Sequence, residues 1–63
     1  MKVYIQSKSG DLNSTTAFVE NPHLSDVLKQ LRRLGGYFSF HSGGPVFVPF
    51  EEIQYIREAT EYD

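Results

Sequence analysis

The middle of the chain carries a helical pattern of hydrophobic and polar residues. Its apolar positions fall at i, i+3, i+4, i+7 and i+10, which places them on one stripe of an α-helix. They are Leu24, Val27, Leu28, Leu31 and Leu34. The spacing predicts an amphipathic helix over residues 22–34.

Both ends of this helix carry boundary signals. At the start, Asn21-Pro22 supplies an N-cap and a first helical residue, or Ser25 caps a shorter helix with Asp26 in its first turn. At the other end, Arg32-Arg33 complements the negative pole of the helix, and Gly35-Gly36 can adopt the left-handed conformation that ends it. The sequence therefore leaves two possible first residues for the helix and predicts that the helix ends at the glycines.

The residues before the helix alternate with a period of two. Lys2–Gln6 alternates polar and apolar side chains, with Val3 and Ile5 facing the core, and Ser14–Glu20 is rich in residues of high β-propensity. Lys8–Asp11 between them has the Gly, Ser and Asp content of a turn. These segments predict an antiparallel hairpin, and the sequence does not fix the length of its loop.

A second hairpin is predicted after the helix. Tyr37–His41 again has a period of two, Ser42–Pro45 breaks it, and Val46–Val48 begins another apolar run. Pro49 cannot donate a ladder hydrogen bond, so this last run is expected to end there or to lie at a sheet edge.

The C-terminal segment fits two structures. We expect a short helical turn over residues 49–53 and then a strand over residues 54–59, at an edge position beside the first strand. A short terminal helix is the alternative, because residues 50–59 are rich in good helix formers. Periodicity alone does not separate the two.

These elements predict a single α+β domain over residues 1–63. Their order is β-β-α-β-β plus a terminal strand or short helix, and the amphipathic helix is expected to pack on a small antiparallel sheet. The predicted core comprises the apolar positions assigned to the inner faces: Val3, Ile5, Phe18, Val27, Leu28, Leu31, Leu34, Phe38, Phe40, Val46, Val48, Ile53 and Ile56.

Composition limits how such a fold is stabilised. A chain of 63 residues with 40% apolar content can form one core, but a domain near this size buries only about 60% of its unfolded surface. Without cysteine, extra stability comes from a metal, oligomerisation or unusually close packing. Two histidines without cysteine disfavour structural zinc, and we expect no cofactor.

The distribution of apolar and charged residues bears on the cellular location of the protein and on the partners that it can bind. The start, MKVYIQSKSG, lacks the apolar region of a secretory signal, and no run approaches the roughly 18 apolar residues of a membrane span. We therefore expect a cytoplasmic protein that does not bind membranes. The net charge of −2 gives the whole molecule no attraction for nucleic acid or anionic lipid.

Catalytic and phosphate-binding patterns are weak. His23 and His41 have no evident partner for acid-base work, and the serines lack a nucleophile-elbow context. Glu51 and Glu52 are adjacent, so they cannot share one face as a carboxylate pair. The glycine pairs match no phosphate-cradling spacing. We expect a protein that is not an enzyme.

Protein binding is the expected function, through a surplus of aromatic rings. Nine Phe and Tyr are too many for the interior of so short a chain, and aromatic side chains are common interface anchors. The candidate interface residues are Tyr4, Tyr37, Phe47 and Tyr55, which fall opposite the assigned core positions. The expected partner is an unidentified protein or a second copy of the chain, because a free sheet edge favours a homodimer.

Nucleic-acid binding is the alternative function. Lys29, Arg32 and Arg33 cluster on the exposed side of the predicted helix, and tyrosines on the sheet offer stacking surfaces. Three charges make a small phosphate footprint, and arginine at a helix C-terminus has a local explanation. The cluster therefore ranks second.

The ending Val46–Ile56 resembles the strand, short turn and final strand of small β-barrels of the SH3-like or Sm-like type. The resemblance covers about a sixth of the chain and includes no signature residue, and the mid-chain helix departs from the Sm-like order, which begins with its helix. It implies a small-barrel-like binding module. The short length is also typical of accessory proteins of phages or mobile elements.

Overall fold

A computed structural model describes residues 1–20, 22–41 and 43–63. The elements in chain order are β1 (Lys2–Ser7), β2 (Ser14–Ala17), α1 (Leu24–Leu34), β3 (Gly36–His41), β4 (Gly44–Pro49), a 3-10 turn (Phe50–Glu52) and β5 (Ile53–Glu58). The α+β class is confirmed, and the ambiguous C-terminal segment is a turn followed by a strand. None of the described helices is long and apolar enough to cross a membrane.

The strands form two antiparallel sheets. β1 lies between β2 and β5 in a three-stranded sheet, and β3 pairs with β4 alone. Ile5 pairs with Ser14 on one side and with Ile56 on the other, so the prediction that the last strand flanks the first is confirmed. Both predicted hairpins are present.

The helix ends where the sequence predicts and begins between the two predicted start positions. Gly35 adopts the left-handed conformation at φ 87°, and its N–H donates to the carbonyl oxygens of Leu31 at 3.0 Å and Arg32 at 3.2 Å. His23 is the N-cap residue and its side chain makes no capping hydrogen bond. Pro22 as first helical residue and Ser25 as N-cap are both wrong, because the helix starts at Leu24. Asn21, the other predicted cap, lies outside the described residues, as does Ser42 of the predicted hairpin turn.

The core lies between the helix and the inner faces of the two sheets. Its buried apolar side chains are Val3, Ile5, Phe18, Val27, Leu31, Tyr37 and Val48, and Ile53 and Ile56 pack against it partly buried. Leu28 and Leu34 were assigned to this core but are exposed. The buried residues of the helix are Val27 and Leu31. Leu28 lies to one side of the stripe that they define, because successive residues of a helix point in different directions, and Leu34 is the last residue of the helix.

Strand β3 presents the opposite face from the one predicted, whereas β4 buries Val48 and exposes Phe47 as predicted. Tyr37 and Ser39 point inward, whereas Phe38 and Phe40 point to solvent. The Tyr37 hydroxyl donates to the carbonyl oxygen of Leu12, and the Ser39 hydroxyl donates to that of Asn13 at 2.7 Å. These bonds satisfy carbonyl groups of the β1–β2 loop, which two phenylalanines in the same places would leave without a donor.

The loop that receives these bonds is held by a buried serine at the end of β1. Ser7 is fully buried, and its hydroxyl oxygen accepts from the backbone N–H groups of Gly10 and Leu12, both at 3.2 Å. Val46, also predicted in the core, is 41% exposed. It lies nearer the turn of the hairpin than Val48, which pairs with the buried Tyr37.

Candidate functional site

Three phenylalanines form one exposed surface on the outer face of the second hairpin. Phe38 and Phe47 are cross-strand partners, and their rings pack edge to face with centroids 5.2 Å apart and an interplanar angle of 71°. Phe40 lies two residues further along β3, on the same side. We call Phe38, Phe40 and Phe47 the phenylalanine face.

A groove of about 720 Å³ opens between this face, the C-terminal half of α1 and residues 16–20. Leu34 and Val19 extend its apolar margin, and both are largely exposed. Glu20 is the one formally charged side chain among the described lining residues. The face and its margin therefore offer a partner apolar contact and almost no ionic contact.

A second aromatic surface lies on the outer face of the three-stranded sheet. The rings of Tyr4 and Tyr55 have centroids 6.4 Å apart, and the guanidinium carbon of Arg57 lies 4.4 Å from the centroid of Tyr4. The Tyr4 hydroxyl donates to Oε1 of Gln6 at 2.6 Å. We call Tyr4, Tyr55 and Arg57 the tyrosine–arginine cluster.

Arg57 is also fixed from the C-terminal side. Its two terminal nitrogens donate to the carboxylate oxygens of Asp63 at 2.7 and 2.8 Å, and the Thr60 N–H donates to the same carboxylate at 2.7 Å. The hydrogen bonds from Arg57 hold the pKa of Asp63 well below its usual value, and those to Asp63 raise the pKa of Arg57. Both groups stay charged across the physiological range.

The four candidate interface residues are divided among three places. Tyr4 and Tyr55 belong to the tyrosine–arginine cluster and Phe47 belongs to the phenylalanine face. Tyr37 is 6% exposed, so its prediction as a surface residue is wrong. Its burial raises the pKa of the phenol, partly opposed by a hydrogen bond with Ser7.

Phe38 and Phe40 were missed as surface residues because their apolar character favoured the core. One signal in the sequence bears on their orientation. Tyr37 and Ser39 alternate with them, and both carry a hydroxyl that can satisfy a buried carbonyl. The strand alone does not show that such carbonyl groups lie opposite.

The basic residues of the helix are exposed and lie apart from the tyrosines. Lys29, Arg32 and Arg33 are all exposed, and the Arg32 guanidinium carbon lies 5.5 Å from the centroid of Phe50. The helix packs on the inner side of the sheet, whereas Tyr4 projects from the outer side because side chains alternate along a strand. The structure therefore separates the cations from the proposed stacking surface.

Among the side chains that the structure describes, the remaining reactive groups do not form a site, and the side chain of His41 lies outside that description. His23 is exposed at the helix N-cap, and Glu51 and Glu52 are exposed in the 3-10 turn. No group of three or more potential metal ligands occurs within residues 1–20, 22–41 and 43–63. Comparison of the chain with family models, curated proteins and solved structures finds no match.

Proposed function

We propose that this protein is a small, non-catalytic cytoplasmic accessory protein that acts through protein–protein interaction, with the phenylalanine face as its contact surface. The observation that carries the proposal is the exposure of Phe38, Phe40 and Phe47, at 55%, 77% and 47%. Aromatic side chains contribute more than most others to the free energy of protein association.

The extent of the apolar surface supports this assignment. A fully exposed large apolar side chain presents about 150–200 Å², so the three rings together with Leu34 and Val19 leave roughly 500–650 Å² open. The largest apolar patch of a typical monomer is about 300–600 Å² and is often functional. A single domain of 63 residues thus carries a patch at the upper end of that range.

The test is site-specific photo-crosslinking in the native host. A photoreactive phenylalanine analogue replaces Phe40, and the matched control carries the same analogue at Tyr62, which is 90% exposed and lies outside the groove. We expect a protein adduct of discrete mass from position 40 and not from position 62. Absence of an adduct from position 40, or equal adducts from both positions, contradicts the proposal.

Nucleic-acid binding is the second proposed function and rests on the exposure of Lys29, Arg32 and Arg33 on the last two turns of α1. The probes are a short single-stranded DNA and its RNA equivalent at low salt. We expect a salt-sensitive gel shift that is lost when all three residues become Gln, and retained when Lys2 and Lys8 become Gln. No shift with the parent protein rules this function out.

A further inference from the structure

We propose that the partner of the phenylalanine face is a second copy of this chain, so that two copies pack these faces together around a twofold axis. The inference rests on the proposed function and adds the identity of the partner. Three features of the molecule lead to it: the area of the face, its lack of charge, and the small core behind it.

The area is sufficient for a dimer. Two copies that cover their phenylalanine faces, Leu34 and Val19 remove roughly 1,000–1,300 Å² from solvent, at about 150–200 Å² for each fully exposed side chain. Specific interfaces begin at about 1,000–1,200 Å² in total. The face together with Leu34 and Val19 therefore reaches the lower limit of a specific interface.

The chemistry of the face is complementary to itself. A twofold interface brings each patch against an identical patch, so a charged patch would repel its copy, whereas an apolar patch does not. Glu20 is the single formal charge among the described residues of the groove. The edge-to-face pair of Phe38 and Phe47 presents both a ring face and a ring edge, and a second pair can pack against these in the same geometry.

The interior supplies the reason for association. Among the described residues, the buried core includes two aromatic rings, Phe18 and Tyr37, while three phenylalanines are exposed and Phe50 is partly buried. One core in a domain of this size rarely supplies more than about 3–5 kcal/mol of stability, and the sequence has no cysteine for a disulfide. Covering the phenylalanine face with a second copy gives each domain a larger apolar interior.

Pairing through the free edge of β4, the strand that carries Phe47, is disfavoured, so we expect the phenylalanine face to associate by packing rather than by strand pairing at this edge. Pro45 and Pro49 lie opposite Phe40 and Gly36 in the register. Because proline cannot donate to the ladder, these positions direct their backbone nitrogens away from β3. Phe47, between them, is therefore the one residue of the strand interior that offers an outward N–H, too few for edge-to-edge pairing.

Sedimentation equilibrium tests the dimer directly, from about 10 µM to about 1 mM protein. We expect the mass to rise from 7.2 kDa towards twice that value. Phe40→Ser should weaken association about 100-fold, because each ring contributes about tenfold and the substitution occurs twice in a twofold dimer. Tyr62→Ser is the matched control and should leave association unchanged.

Two further measurements keep the test independent of folding. Phe40 is mostly exposed in the monomer, so dilute Phe40→Ser should retain the circular dichroism spectrum of the parent, and Phe40→Leu should recover part of the association. In an equimolar mixture of isotope-labelled and unlabelled protein, we expect intermolecular nuclear Overhauser effects between rings of the phenylalanine face.

Two outcomes overturn the inference: the monomer mass at every concentration, or a dimer that Phe40→Ser leaves unchanged. The crosslinking experiment separates this failure from failure of the proposed function. A monomer that still forms an adduct with a different protein from position 40 refutes self-association alone. A monomer with no adduct refutes both.

Discussion

The two aromatic surfaces of the protein differ in the contacts that their side chains make within the chain. In the tyrosine–arginine cluster, the Tyr4 hydroxyl donates to Gln6, Arg57 covers the Tyr4 ring, and Asp63 holds Arg57 by two hydrogen bonds. In the phenylalanine face, the rings of Phe38 and Phe47 contact each other and Phe40 is 77% exposed. The side chains of the cluster contact one another within the chain, whereas much of the phenylalanine face contacts solvent.

This difference shows why exposure of an aromatic residue is a poor guide to an interface on its own. Tyr55 and Phe47 are exposed to nearly the same extent, 46% and 47%. Tyr55 lies beside a ring and a cation that already form a local structure, so a partner would have to displace favourable contacts. Phe47 belongs to a surface whose contact with water is unfavourable, so a partner removes a cost.

The largest expected effect comes from Gly36, which positions the phenylalanine face. Its φ of 152° disfavours other residues, and a Cβ there would overlap the carbonyl oxygen of Val48 in the backbone of β4. Gly36→Ala should destabilise the protein by at least about 3 kcal/mol, because backbone must move to make room. Urea unfolding measures the change.

Gly35→Ala is the matched control for this substitution. Gly35 also has a positive φ, of 87°, but a Cβ added there would meet no other atom within 4 Å. The substitution should cost only about 1 kcal/mol. Equal losses at the two glycines would contradict the close approach of β4 to Gly36.

The next effect concerns Tyr37, whose hydroxyl helps turn the phenylalanines outward. Tyr37→Phe removes the donor to the carbonyl oxygen of Leu12 and should destabilise the protein by about 1–2 kcal/mol. Tyr4→Phe removes an equivalent hydroxyl from the tyrosine–arginine cluster, where water can replace it, and should cost less than about 0.5 kcal/mol. Urea unfolding of both variants measures the two losses of stability. Equal losses would contradict the expectation that the buried hydroxyl contributes more than the exposed one.

A pH dependence should follow from the same buried phenol. Burial raises the pKa of Tyr37 above its usual value of 10.0, so folding favours the protonated form. This stabilisation is complete below pH 10.0 and is lost as pH rises through the folded pKa. The free energy of unfolding should therefore fall with pH above 10.0 less steeply in Tyr37→Phe than in the parent. Identical slopes in urea titrations would contradict this.

The smallest effect is expected in the tyrosine–arginine cluster. Arg57→Gln removes an exposed ion pair with Asp63, and most such pairs contribute little to stability because solvent screens them. The urea midpoint should stay within experimental error of the parent, while the ring resonances of Tyr4 shift as the guanidinium leaves. A large loss of stability would show that the C-terminal residues hold the fold through Arg57.

Much of the fold could be predicted because local patterns agree with it. The leucine stripe, the glycine stop and the alternating segments identify the helix and both hairpins. The candidate site was harder, because Tyr37, Phe38 and Phe40 place aromatic rings on both sides of one strand. The alternation along this strand then does not show which side faces the core, and hydrophobicity alone favoured the wrong side.

The sequence by itself determined the order of the first four strands and the helix, and the end of the helix at Gly35, since each depends on residues close together in the chain. The tertiary structure decided that the C-terminal segment is a strand, because that segment pairs with β1 from the far end of the chain. Only the tertiary structure decided which rings of β3 meet water. The physical reason is that the carbonyl groups of Leu12 and Asn13 need donors, and Tyr37 and Ser39 supply them from more than twenty residues away along the chain.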